Sequence, residues 1–147
     1  MFIDPNELTE IKVYYRRVGK HYQVVETDDY DKMEEEEKKK YKCLKVKVRE
    51  LSWGPYNELN EESVSKDASG GRQWNYRLYK ENKIRKVLVS WDAQKPNEKG
   101  EMVPVPVNSD NISKLAPEIA ENILSSYDAI MLISDEEKEE KKEEEKK

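Results

Sequence analysis

Two side chains in this sequence could act as a base or a thiol nucleophile near neutral pH: the single histidine, His21, and the single cysteine, Cys43. A catalytic histidine needs a group to activate or a group to orient it, and a catalytic thiol needs a nearby base. Neither residue has such a companion at a recognisable spacing. His21 follows Lys20 in a short run of alternating residues, and Cys43 opens another, so both are read as structural or surface positions. One cysteine cannot close an internal disulfide, and one cysteine with one histidine is too small a set for a zinc site.

Carboxylates are abundant, yet their densest runs, Glu34 to Glu37 and Glu143 to Glu145, sit beside lysines. They lack the Asp/Asn alternation and the glycine turn of a calcium loop. Gly70-Gly71-Arg72, placed here at the start of a helix, would suit an anion at a helix N-terminus, but the rest of a phosphate-loop pattern is missing and a flexible connector is the plainer interpretation. The chain is therefore expected to be a non-enzyme, with no cofactor and no metal.

The aromatic residues carry more information: three Trp and nine Tyr stand against one Phe. Rings with an apolar body and a polar handle suit surfaces that are wet in one state and covered in another, which is where binding hot spots concentrate. Trp53, Tyr56, Trp74, Leu88 and Trp91 are the candidate partner-binding residues, each with the alternative role of packing a small core.

The elements that must position them lie in a chain of 147 residues, a length that fits one domain. Apolar residues make up 35% and charged residues 40%, against norms of roughly 45–50% and ~25%. The imbalance is local. Residues 28–42 hold seven acids and five bases, and residues 134–147 hold eight acids and five bases. Of the 32 acids and 27 bases, setting those two segments aside leaves seventeen of each, so the formal charge of −5 belongs to the segments and the body is neutral. A neutral body argues against a nucleic-acid binder, although Tyr and Lys on strands could stack a single strand. No stretch approaches the ~20 apolar residues of a membrane helix, and the start lacks the pattern of a signal peptide. A soluble cytoplasmic protein without membrane contact is expected.

Ile11, Val13 and Tyr15 alternate with polar neighbours, Gly19 can turn the chain, and His21 to Val25 can return, giving an antiparallel β-hairpin. Leu44, Val46 and Val48 make a third strand. Between them, Glu34 to Glu36 precede Lys38 to Lys40 by four residues, which supports an exposed helical turn or two in a mobile connection. Ser52 caps a short helix carrying Trp53, Tyr56 and Leu59, and residues 67–71 form a turn. A long helix is expected from Gln73 to Trp91. Residues 95–100 turn, Met102 to Val107 form a proline-bearing extended edge, and Pro117 starts an amphipathic helix through Ile119, Ile123, Leu124, Tyr127 and Ile130. The expected fold class is thus α+β: a hairpin or three-stranded sheet followed by a small helical unit. Residues 1–133 form one domain with an inserted charged segment at 28–42, and 134–147 form a disordered charged tail.

Residues 44–130 resemble the phage tail assembly chaperones encoded between the tail-tube and tape-measure genes of long-tailed phages. The likeness rests on the strand Leu44 to Leu51 running straight into Ser52-Trp53-Gly54-Pro55-Tyr56. It continues in Tyr76-Arg77-Leu78-Tyr79-Lys80 leading to Ile84 through Trp91-Asp92, and in an extended run, a capped turn and a helix introduced by Pro117-Glu118. The N-terminal hairpin, its charged insertion and the tail depart from the family pattern. The resemblance implies a non-enzymatic assembly factor in the host cytoplasm that coats the tape-measure protein and helps recruit tail-tube subunits, with a homo-oligomer compatible with that role. A structural tail or neck adaptor retained in the virion is the alternative.

Overall fold

The computed structural model describes the backbone of residues 1–145 and the side chains of residues 1–132. The expected disordered tail at 134–147 thus lies outside the fully described residues. In chain order the elements are β1 (Leu8–Val18), β2 (His21–Val25), α1 (Thr27–Asp31), α2 (Glu35–Lys38), β3 (Lys42–Arg49) and α3 (Trp53–Glu62). There follow β4 (Val64–Lys66), β5 (Arg72–Trp74), α4 (Tyr76–Val87), β6 (Leu88–Trp91), β7 (Gln94–Pro96), β8 (Met102–Pro104), α5 (Ser109–Ser113) and α6 (Pro117–Glu145).

The alternation read from the sequence builds an antiparallel sheet in the order β2-β1-β3-β6. Gly19 takes a φ of 61° at the hairpin turn, a conformation that costs a residue without Cβ little. On one sheet face Ile11, Val13, Leu44, Val46 and Val48 meet Ile84, Val87 and Leu88 and the α5 and α6 residues Ile112, Ile119, Ile123, Leu124 and Tyr127. This is a two-layer α+β architecture, sheet against helices, and it agrees with the expected class.

The sheet has one strand more than the sequence suggested. The expected helix from Gln73 to Trp91 is three elements: β5, then α4, then β6. Asn75 sets the true start, since its side chain accepts the Leu78 N–H at 3.1 Å as an N-cap. The end comes where Leu88, Val89 and Trp91 can do better as a strand. Leu88 pairs with Val48 and Trp91 with Val46, which satisfies the free edge of β3. The apolar run from Trp74 to Trp91 therefore joins two periods, that of α4 and that of β6, with Glu81 and Arg85 interrupting a single helical stripe. The proline-bearing edge holds as expected: β8 pairs only with β7 in a separate two-stranded hairpin.

The charged insertion forms the two short, mostly exposed helical turns expected of it, and they dock on the sheet. Its two short helical turns are anchored on the sheet face opposite the core, where Tyr30 stacks on Tyr14 with ring centroids 3.8 Å apart and Tyr41 meets Tyr30 edge-on at 6.4 Å. Lys38 stands 5.4 Å from the Tyr30 ring. The acids made the segment look solvated in sequence, while the tyrosines that flank them hold it. Replacing Tyr30→Ala removes this anchor. Amide hydrogens of residues 28–41 are then expected to exchange faster, while urea unfolding shows a loss of no more than about 1.5 kcal/mol; unchanged exchange would contradict the anchoring.

Candidate functional site

The two groups capable of nucleophilic chemistry do not meet. Cys43 lies opposite Tyr14 on β3, and His21 lies opposite Val18 on β2, four residues along and across β1, so roughly 13 Å of strand separates them. Burial pushes the Cys43 thiol up, reinforced by the nearby Asp92, which makes it a poorer nucleophile at neutral pH. His21 stands 3.7 Å from Glu118 at the start of α6. Among the described residues no group of three His, Cys, Asp or Glu side chains could hold a metal ion, and no helix is long and apolar enough to cross a membrane.

Gly70-Gly71-Arg72 does not open a helix; it enters β5. The Asp67 carboxylate Oδ1 already accepts from the Gly71 N–H at 2.7 Å, the Ser69 N–H at 3.0 Å and the Ser69 hydroxyl at 2.7 Å. The Ser69 hydroxyl and then the Gly71 N–H hold this carboxyl below its usual range. The chain supplies its own anion to these donors.

The aromatic candidates divide cleanly. Leu88 is 3% exposed, and Trp91 is half-buried against the core with its indole N–H donating to the Val105 carbonyl at 2.6 Å. Both are packing residues, so their candidacy as partner contacts is corrected: each lies on β6, whose apolar side faces the helices. Trp53, Tyr56 and Trp74 keep 81%, 51% and 54% of their surface in water. Trp53 and Tyr56 are one turn apart on α3, followed at the same spacing by Leu59, which is buried. The Leu59 end of this stripe is fixed by Ser63, fully buried, whose hydroxyl donates to the Leu59 carbonyl and whose own carbonyl accepts the Asn75 N–H at 2.8 Å.

Tyr76, Tyr79 and Leu132 complete the surface and were missed in the sequence. Trp74 leaves β5 with its ring 5.1 Å from Tyr79, and Tyr76 lies 6.3 Å from Tyr79 at the head of α4. The readable signal was Asn75: as a helix cap it places Trp74 just outside α4 and Tyr76 and Tyr79 one turn apart upon it. Tyr56, Leu59, Tyr79, Tyr127, Met131 and Leu132 line an open groove of about 340 Å³ between α3, α4 and α6. Lys83 forms part of its wall, with Nζ donating to Asp128 and, at 3.2 Å, to the Tyr79 hydroxyl, and lying 5.1 Å and 5.4 Å from the Tyr79 and Tyr127 rings. Burial pulls a lysine down, but the bonds to Asp128 and Tyr79 outweigh it and hold this ammonium above its ordinary value. Such an arrangement offers apolar area rimmed by hydroxyls and charges, suited to a polypeptide surface more than to bond-making chemistry.

Comparison with protein-family models, with curated proteins and with solved structures finds no match for this chain.

Two variants test the division of roles. Trp91→Phe is expected to lose about 1–3 kcal/mol of stability, because the Val105 carbonyl loses its donor, whereas Trp74→Ala stays within about 0.5 kcal/mol of the wild type in urea unfolding. Equal stabilities for the two would contradict the assignment. Lys83→Gln gives a pH test. A raised folded pKa means the pairing stabilises the fold fully at neutral pH and fades as pH climbs through that raised value, so the deficit of the variant, about 1–2 kcal/mol at pH ~7, should close in alkali. A deficit independent of pH would remove the charge from the explanation.

Proposed function

We propose that this chain is a non-enzymatic phage tail assembly chaperone that binds the tape-measure protein in the host cytoplasm and helps recruit tail-tube subunits. The observation that carries the proposal is an exposed aromatic surface: Tyr56 and Tyr79 line the groove between α3, α4 and α6, Trp74 and Tyr76 lie against Tyr79, and Trp53 stands one turn before Tyr56 on α3. Apolar patches of this kind, rimmed by polar groups, mark sites of protein association. A long helical chain with an apolar stripe would aggregate if left bare, and a groove with aromatic walls is a suitable receptor for such a stripe. Tyr and Trp bury large area for little loss of side-chain freedom and return to water readily, which fits a contact that must be released. The likeness of residues 44–130 to the chaperone family supplies the identity of the partner; the geometry supplies the kind of surface.

Co-expression with the tape-measure protein encoded in the same genome tests the proposal. The tape-measure protein is expected in the soluble fraction in complex with this chain, and the pair Trp74→Ala and Tyr76→Ala is expected to weaken the complex by about tenfold or more while leaving the chaperone folded. Finished particles should lack the chain. A tape-measure protein that stays insoluble, a double variant that binds as the wild type does, or stoichiometric recovery from purified virions would each contradict it.

A further inference from the structure

The face of the sheet away from the helices carries a second surface of different chemistry. Alternation along β1 and β3 sends Lys12, Lys45, Lys47 and Arg49 to this side, and the register sets Lys12 directly opposite Lys45. Like charges opposed across two strands destabilise a sheet, so nothing in folding favours the pair. Lys80, Lys83 and Lys86 on the helical side each meet a carboxylate, whereas these four cations form no ion pair among the described residues. The Nε of Arg49 is buried and donates to no group among them, an unsatisfied donor of a kind that native structures seldom leave. Glu10, opposite Lys47, is the one acid of this side in β1 and β3, and the nearby Asp92 carboxylate is engaged with the Lys45 backbone N–H at 2.9 Å.

We infer that this basic face, built from Lys12, Lys45, Lys47 and Arg49, docks an acidic polypeptide segment of a partner. Successive same-face residues of β3 stand ~6.6–6.8 Å apart. Carboxylates four residues apart on a helix are spaced by about 6 Å along its axis, and alternate ones on an extended chain repeat the β3 spacing itself. A short acidic segment of either form can therefore neutralise the row. Charge complementarity alone would also admit a single-stranded nucleic acid, but one feature disfavours it. On this face Tyr14 and Tyr30 stack on each other, Tyr41 meets Tyr30 edge-on, and Lys38 and Arg16 stand over the Tyr30 and Tyr41 rings, leaving bases a poor stacking platform. The surface is independent of the aromatic groove and of the proposal resting on it.

Fluorescence anisotropy with the full chain and a labelled oligoglutamate tests the inference. Binding is expected at low salt and lost near about 1 M salt, where screening is nearly complete. Lys45→Gln with Lys47→Gln should weaken it by about tenfold, while Trp74→Ala with Tyr76→Ala should leave it unchanged. The ¹⁵N-detected Nε–H signal of Arg49 should shift on binding. Absence of binding, equal binding by the lysine variant, loss of binding in the aromatic variant, or tighter binding of an oligothymidylate would overturn the inference, the last by assigning the face to nucleic acid.

Discussion

The strict alternation of β3 governs the rest of the molecule. Leu44, Val46 and Val48 all face the helices, and because β3 lies between β1 and β6, these three residues form the floor on which α4, α5 and α6 pack. A shift of one residue would put lysines into that floor, so the register is fixed by burial itself. The same alternation places Lys45, Lys47 and Arg49 on the opposite side. One strand thereby decides both where the core lies and where the basic face lies.

From that floor the aromatic surface follows by short steps. β3 leads through Leu51 into α3, whose stripe of Trp53, Tyr56 and Leu59 begins exposed and ends buried. Ser63 ties the end of α3 to Asn75, and Asn75 starts α4 with Trp74 and Tyr76 on either side of the cap. Lys83 then joins α4 to α6 through Asp128 beneath the tyrosines. The groove is thus held by a buried serine, a capping asparagine and a partly buried lysine, so its walls are more rigid than a set of exposed rings would suggest.

Much of the fold was legible in the sequence because its strands carry clean period-two patterns and its last helix opens with proline and keeps its apolar stripe. What escaped was set by tertiary contact. Leu88 to Trp91 has the composition of either a helix end or a strand, and only the open edge of β3 decides between them. Tyr30 sits in a segment whose charge masks its docking on Tyr14. Of the candidate contact residues, Trp53, Tyr56 and Trp74 lie on the surface and Leu88 and Trp91 lie in the packing; spacing along the chain could not separate them, because exposure depends on which strand edge is filled. Tyr76 and Tyr79 owe their place to Asn75, whose capping of α4 sets them one turn apart at its head.

We propose that the helical side of this chain, at the aromatic groove, is where the tape-measure protein is held. Hydrogen–deuterium exchange of the chain, alone and in complex with that protein, tests it most directly. The prediction is new protection in α3 and in the segment from Trp74 through the first turns of α4, with the β2 edge and β7-β8 hairpin unchanged. Protection confined to the β2 edge or to that hairpin, with α3 and the head of α4 exchanging as in the free chain, would contradict it.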